Sequence, residues 1–160
     1  MQGLRIPGRG ALALVALVAA LAVGSSVVQA AMSPTPAHAK LILRSSEFGK
    51  VIFAASGHVV YMFGRDKAGT STCYGACAKA WPPVLTKSAP IIGPGLNAKL
   101  LGTTKRTDGS LQVTYNHHPL YFYEADKPGK VMCQHAVMHG GIWLVLKANG
   151  TPNMAKGKMM

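Results

Sequence analysis

Residues 119–129 read PLYFYEADKPG, and residues 59–69 read VVYMFGRDKAG. Each stretch holds a Tyr, an aromatic residue two positions later and an Asp five positions after the Tyr, followed by Lys-x-Gly. The two stretches stand at a constant offset of sixty residues. The equivalent pairs are Tyr61 and Tyr121, Phe63 and Tyr123, and Asp66 and Asp126. The chain therefore contains an internal duplication.

The same offset continues on both sides of these stretches without a gap, and an insertion of two residues then aligns the two tryptophans. The further matches are Gly49 with Gly109, Val51 with Leu111, Cys73 with Cys133, and Trp81 with Trp143. The duplication predicts one domain over residues 41–150, made of two tandem repeats at about 41–98 and 99–150.

Short apolar or alternating runs between turn residues predict a small, mainly antiparallel β domain. A short helical turn is expected near Cys73 to Lys79, and no long amphipathic helix is visible. Each copy ends in a strand-like or buried piece that contains its tryptophan. The predicted strands are 50–54 with 58–63, 100–104 with 111–115, the return at 120–123, and the closing pieces 81–85 and 142–146.

The N-terminus has the pattern of a secretory signal peptide over residues 1–30. Arg5 and Arg9 precede an apolar run at 11–23, and a small-x-small site predicts cleavage after Ala30. The apolar run is short for a membrane span, although an uncleaved anchor is the alternative. No Cys near this site could carry a lipid. A disordered leader is predicted at 31–40 and a flexible tail at 151–160.

The chain is strongly basic, with 17 Lys and Arg against 5 Asp and Glu. Removal of residues 1–30 takes away Arg5 and Arg9 and lowers the formal charge from +12 to +10. For an exported protein this charge indicates an anionic envelope surface, a polysaccharide or an acidic protein as partner, rather than nucleic acid. Because the basic residues are scattered singly, solubility is the favoured explanation and an anionic partner is the alternative.

The repeated unit has a structural interpretation and a chemical one. In each copy the two aromatic residues lie on the same face of a strand and supply a core. Asp66 and Asp126 follow where the strand ends, and an Asp that opens a turn accepts backbone N–H groups. This structural role is favoured. The alternative is a carboxylate pair for acid/base catalysis or cation binding, which requires both side chains to face one cleft.

Three cysteines in an oxidising compartment leave at least one without a partner in the chain. The favoured pairing is Cys73 with Cys77, which are close enough on one turn to form a disulfide. A Cys73–Cys133 bridge between the repeats is the alternative, because equivalent residues can meet near a pseudo-twofold axis.

Three longer runs carry a family resemblance. They are Ser71-x-Cys73-x-Gly75-x-Cys77-Ala78-x-x-Trp81-Pro82-Pro83, Leu100-Leu101-Gly102-Thr103-x-x-Arg106-x-Asp108-Gly109, and Gln112-Val113-Thr114-Tyr115-Asn116-x-x-Pro119-Leu120-Tyr121. Over residues 41–150 the chain resembles bacterial secreted or lipoprotein-type repeats of unknown function that share a Tyr-x4-Asp motif. The resemblance implies an exported β-rich domain and no established activity.

The chain departs from this family in three places. It lacks the lipid-attachment Cys of many members, which favours a soluble secreted form. Asn116 is followed by His117 where the family has Gly, although the turn requires positive φ at both positions. The segment before Trp143 is usually Gly-rich and reads VMCQHAVMH at 131–139.

The divergent segment contains candidate metal ligands. Thiolate, imidazole and thioether groups together favour copper, and thiolate with imidazole also suits zinc. The candidates are Cys133, His135, Met138 and His139, with His117 or His118 supplied from the preceding turn. The alternative is that these are ordinary surface histidines and filler methionines.

No phosphate loop, nucleophile elbow, zinc-protease helix or haem-attachment motif is present in the sequence. The sequence therefore predicts a periplasmic or secreted, non-enzymatic binding protein of the cell envelope with no cofactor. The alternative is a copper-binding or electron-transfer protein centred on Cys133, His135 and Met138.

Overall fold

The structure, a computed structural model, describes residue 3, residues 37–67 and residues 69–157. The predicted signal peptide, apart from residue 3, lies outside the described residues, as do the leader positions 31–36 and the last three residues. No helix within the described ranges is long and apolar enough to cross a membrane.

The described unit is built mainly of short strands, which confirms the predicted β class. Its one α-helix, α1 at Ala76–Ala80, confirms the predicted helical turn, and a 3-10 turn spans Ala98–Leu100. The strands are β1 Lys40–Ser46, β2 Gly49–Ala54, β3 Tyr61–Phe63, β4 Leu85–Thr86, β5 Ile91–Ile92, β6 Leu101–Lys105, β7 Leu111–Tyr115, β8 His118–Pro119, β9 Ala136–Met138 and β10 Gly141–Val145.

The strands form three small sheets with the orders β2-β1-β5, β3-β10-β9 and β4-β7-β6, and β8 also pairs with β7. All pairs are antiparallel except β1 with β5. The predicted pairing of 100–104 with 111–115 is confirmed by the β6–β7 ladder, which runs from Leu101 opposite Tyr115.

The predicted hairpin of 50–54 with 58–63 is only partly correct. β2 takes β1 as its ladder partner and meets the returning chain through the single bridge between Phe53 and Val59. β3 pairs instead with β10, where Phe63 lies opposite Trp143. The reason is packing, because this partner brings the aromatic residues of β3 against the second tryptophan, a contact that no local hairpin supplies.

The two copies also differ in strand register. Val51 and Leu111, which the gapless sequence alignment pairs, therefore do not occupy equivalent positions in the two sheets. Arg44 lies opposite Val51, whereas Thr104, at the equivalent place in β6, lies opposite Gln112. The first copy has a two-residue turn after Ser46, and the second has a three-residue turn closed by the bond from Arg106 N to Ser110 O. The turn after β2 has three residues, and the turn after β7 has two. The two differences cancel, so the sixty-residue offset holds again at Tyr61 and Tyr121.

Buried side chains form two clusters. The first joins β1, β2, β7 and β10 through residues such as Leu41, Ile52, Val113, Tyr115 and Leu144. The second contains the aromatic residues of both repeats, including Tyr61, Trp81, Tyr121 and Trp143. The repeats therefore share one aromatic core rather than having one each.

Both ends of the described unit are packed further than predicted. Ala39 is buried, and the Ser88 hydroxyl donates to the Ala37 carbonyl at 2.7 Å, so the ordered chain begins before residue 41. Asn153 is 5% exposed and donates to the Phe48 carbonyl at 2.8 Å. Gln134 donates to the Ala155 carbonyl at 2.9 Å. These long-range bonds correct the prediction of a flexible tail for residues 151–155.

The turn between β7 and β8 has the backbone conformation expected of a two-residue hairpin loop. Asn116 has φ 48° and His117 has φ 63°, so His117 occupies the left-handed region that Gly favours. The equivalent turn in the first copy has Gly57 at φ 89°. The carbonyls of His117 and Gly57 accept equivalent bonds from Gly69 and Gly129, at 2.7 and 2.8 Å.

Replacing His117 by Gly is expected to raise the free energy of unfolding by about 1 kcal/mol. A left-handed non-Gly residue costs roughly 1–2 kcal/mol, and the added freedom of Gly in the unfolded chain offsets part of the gain. Urea unfolding followed by circular dichroism measures the change. The matched variant Gly57→Ala is expected to change stability in the opposite direction, and an unchanged or less stable His117→Gly protein would contradict this explanation.

Candidate functional site

The two repeats meet at their equivalent tyrosines. Tyr61 and Tyr121 form an antiparallel bridge in which each backbone N–H donates to the carbonyl of the other at 2.9 Å. Equivalent residues that exchange the same bond mark a pseudo-twofold axis between them. Both side chains are fully buried, so this contact lies in the middle of the unit.

The side chains of the repeated motif cross this axis. The Tyr61 hydroxyl donates to Asp126 Oδ2 at 2.8 Å, and the Tyr121 hydroxyl donates to Asp66 Oδ2 at 2.7 Å. Each Tyr therefore bonds to the Asp of the other repeat. Sequence reasoning missed this exchange, although the sixty-residue offset was the signal that pointed to a pseudo-twofold axis.

Each carboxylate also holds the loop that follows it. Asp66 Oδ1 accepts from the backbone N–H and hydroxyl of Thr72 at 2.7 and 2.8 Å, and Asp126 Oδ1 accepts from the Met132 N–H at 3.0 Å. The carboxylate thus caps its own loop and joins the opposite repeat. Both Asp side chains are committed to framework bonds, rather than left available to act as a catalytic pair.

Burial sets the protonation of these groups. Burial raises the pKa of Asp66 and of Asp126 above the ordinary value, and the hydrogen bonds from Tyr121 and Tyr61 oppose the rise. Burial also raises the pKa of Tyr61 and Tyr121 far above the ordinary phenol value. Both phenols therefore stay protonated and act as the donors.

Four aromatic rings stack through the shared core, and the inner pair consists of the two tryptophans. Trp81 and Trp143 lie parallel with ring centroids 3.8 Å apart. Tyr123 covers the outer face of Trp81 at 4.6 Å, and Phe63 covers that of Trp143 at 4.2 Å. Each tryptophan is thus flanked by rings of the other repeat, which makes the aromatic positions of the motif mutually dependent.

A buried arginine supports one side of this framework. Arg106 is 4% exposed and donates through Nη1 to Ser71 and Gln112, at 2.8 and 2.7 Å, and through Nη2 to the Cys73 carbonyl at 2.8 Å. The Ser71 hydroxyl lies 2.8 Å from the Tyr121 hydroxyl. A hydrogen-bonded chain therefore connects the guanidinium to Asp66. The second copy has Val131 in place of Ser71, so it lacks this chain.

Sequence reasoning did not single out Arg106 as a structural residue. The only sequence feature that marked Arg106 was its place in one of the motif runs. Its bonds to Ser71 and Cys73 could not be predicted, because those residues lie more than thirty positions away. The guanidinium also stacks over Tyr74 with 4.3 Å to the ring centroid.

The predicted disulfide between Cys73 and Cys77 is confirmed, with Cα atoms 5.3 Å apart. The alternative Cys73–Cys133 bridge is wrong, because Cys133 carries a free thiol that is half-buried. Its backbone N–H donates to the Tyr61 hydroxyl at 3.3 Å. Cys133 thus lies beside the framework at the place equivalent to the disulfide.

The structure does not assemble the predicted metal ligands. Within residues 37–67 and 69–157, no group of three or more His, Cys, Asp or Glu side chains is arranged to hold a metal ion. His135 and His139 flank β9 in the left-handed region, and His117 lies in the β7–β8 turn. Cys133 lies beside Tyr61. The copper alternative therefore has no geometric support among the described residues. Trp143 Nε1 donates to the backbone carbonyl of Met138 at 3.1 Å.

Two open depressions of about 380 and 390 Å³ lie beside the sheet β4-β7-β6 and beside β5. They are lined mainly by Thr86, Lys87 and Ser110 in one case and by Pro90, Ile92 and Thr103 in the other. Neither contains a residue of the Tyr–Asp framework or of the predicted metal site.

Comparisons with known proteins give one result. A family model described as a secreted repeat of unknown function matches the chain twice, at residues 43–85 and 102–147. The two matches coincide with the two repeats and together cover more than half of the chain. A comparison with curated proteins and one with solved structures gave no match.

Removal of one phenol oxygen tests the crossed bonds. Tyr121→Phe and Tyr61→Phe are each expected to lower the free energy of unfolding by about 2–3 kcal/mol. Each change removes a bond to a carboxylate and a second bond, to Ser71 or to the Cys133 N–H. Urea unfolding measures both values. The matched control Tyr123→Phe keeps its ring in the stack and is expected to change stability by about 0.5 kcal/mol or less. Equal effects of all three changes would contradict the assignment.

The free thiol is expected to react slowly. Burial raises the pKa of Cys133 above its ordinary value of 9.0, and the negative charge of Asp126 adds to the rise while a contact with Tyr123 opposes it. Because the thiolate is the reactive form, iodoacetamide labelling of the unreduced protein at neutral pH should be slower than that of an unhindered thiol, and the rate should keep rising above neutral pH. Mass spectrometry across a pH series measures the rate, and a rate that levels off near neutral pH would contradict this prediction.

Proposed function

This chain belongs to the family described as a secreted repeat of unknown function, and we propose that it is an exported, non-catalytic protein of the cell envelope that binds an anionic partner. The observation that carries the proposal is an exposed basic surface whose charges are not neutralised by acids of the same chain. The framework of the repeats supports that surface and takes no part in chemistry.

The exposed charged side chains of the described residues are mostly basic. Thirteen basic side chains of the described residues are exposed. They are Lys40, Arg44, Lys50, Arg65, Lys67, Lys79, Lys87, Lys99, Lys105, Lys127, Lys130, Lys147 and Lys156. Only Glu47, Asp108 and Glu124 are exposed acids, because Asp66 and Asp126 are bonded inside the framework.

The exposed cations are also free of ion pairs within the described part of the chain. The only pair within 4.0 Å joins Arg106, which is buried, to Asp108. An exposed cation without an acidic neighbour contributes its full charge to the local field and attracts anions. This surface therefore favours association with a polyanion over self-neutralisation.

The location of such a partner follows from the export signal. Cleavage of the predicted signal peptide after Ala30 would release the domain on the far side of the membrane. The anionic components available there are envelope polysaccharides, lipid headgroups and acidic proteins. An exported location favours these partners over nucleic acid, whereas charge alone does not distinguish them.

Sedimentation with isolated cell envelopes of the producing organism tests this proposal. The protein is expected to sediment with the envelopes at low ionic strength and to be released as salt screens the charges. Protein with acetylated lysines is the matched control, because acetylation removes the charge and keeps the fold of the buried framework. Salt-insensitive binding, or equal binding of the acetylated protein, would overturn the proposal.

A further inference from the structure

One arginine is fixed at the place where two turns meet. The Arg44 guanidinium stacks over Phe53 with 5.3 Å to the ring centroid. A Cβ added to Gly57 would lie 3.5 Å from its Nη1, and one added to Gly129 would lie 3.9 Å from its Nη2. The Gly129 N–H donates to the Gly57 carbonyl at 2.8 Å. The guanidinium therefore lies against the junction of the 54–58 and 127–130 turns.

The N–H groups of this arginine are available. Arg44 is exposed, and none of its side-chain N–H groups donates to a protein acceptor among residues 37–67 and 69–157. Its stacking position limits the rotamers that it can adopt. An immobilised guanidinium with unused donors is suited to bind a planar or tetrahedral anion through two parallel bonds.

Two lysines complete a local cluster, which we call the Arg44 patch and define as Arg44, Lys127 and Lys130. Both lysines are exposed, and the bond from Lys130 N to Lys127 O at 3.0 Å folds them around Gly129. Neither of the nearest acids in sequence, Glu47 and Asp126, forms an ion pair with a cation of the patch. The Asp126 carboxylate accepts bonds from Tyr61 and Met132 instead.

The duplication shows that the fold does not need these charges. At the equivalent place on the other side of the pseudo-twofold axis, Gly69 donates to His117 at 2.7 Å and builds the same junction of turns. Lys67 stands in place of Lys127, but Thr104 and Thr70 replace Arg44 and Lys130. The same backbone contact therefore forms without the arginine and the second lysine, so these two cations are additions to the framework.

We infer that the Arg44 patch holds an anionic polysaccharide through its carboxylate, phosphate or sulfate groups. This inference rests on the proposed function and specifies where that partner binds. A glycan is favoured over a membrane because apolar anchors add to the electrostatic attraction in membrane docking, and the patch contains no such anchor. The exposed large apolar residues of the described chain, none of which belongs to the patch, are Ile91, Met132, Val137 and Met154.

The test compares two variants of equal charge by titrating the full chain with dextran sulfate, with uncharged dextran as the blank. In the patch variant, Arg44→Thr with Lys130→Thr introduces the residues found at the equivalent positions, 104 and 70. In the control variant, Lys87→Thr with Lys105→Thr removes two exposed cations in or next to the sheet β4-β7-β6. The patch variant should bind at least about tenfold more weakly than the unchanged protein, and the control no more than about threefold, since a local contact adds to the general attraction.

The outcomes separate this inference from the proposed function. Equal weakening of the two variants, with both keeping the stability of the unchanged protein, would overturn the Arg44 patch and leave general polyanion binding in place. Absence of binding by the unchanged protein at low salt would overturn both. Vesicles of phosphatidylglycerol in phosphatidylcholine form a further arm, and patch-dependent binding to vesicles but not to dextran sulfate would overturn the choice of a glycan.

Discussion

The structure depends on the crossed bonds in which Tyr61 donates to Asp126 and Tyr121 donates to Asp66. Each repeat supplies one buried phenol and one carboxylate, and neither repeat can satisfy its own phenol with its own Asp in this geometry. A buried polar group that loses its partner costs about 1–3 kcal/mol. Both groups would lose their partners if the repeats separated, so the two halves form one cooperative unit rather than two small domains joined by a linker.

The same constraint explains where the copies have diverged. The Tyr–Asp bonds and the stacked tryptophans are retained in both halves because each depends on the other half. Residues outside that exchange are free to differ, as Ser71 and Arg106 support Tyr121 while Val131 stands at the equivalent place beside Tyr61. The disulfide follows the same pattern, since Cys73 pairs with Cys77 and Cys133 remains a free thiol.

Sequence spacing predicted the β class, the duplication, the β6–β7 pairing and the disulfide, because each depends on local pattern or short separation. It could not predict which Asp each Tyr would meet, since a pseudo-twofold axis exchanges partners without changing the spacing. It also missed the one-residue shift between β2 and β7, which arises from exchanged turn lengths. Closeness in sequence was misleading for the metal ligands, because no three His, Cys, Asp or Glu side chains of the described residues converge on one point.

Comparing the two copies distinguishes residues that both copies contain from residues that only one copy contains. Lys67 and Lys127 occur in both copies after the capping Asp, so their presence alone does not distinguish turn chemistry from binding. Arg44 occurs in the first copy only and Lys130 in the second copy only, although the same contact between turns forms on both sides of the pseudo-twofold axis. The backbone contact therefore does not depend on these two charges. They are the charges to which we assign binding, and they lie on the exposed face rather than in the interior that the two repeats share.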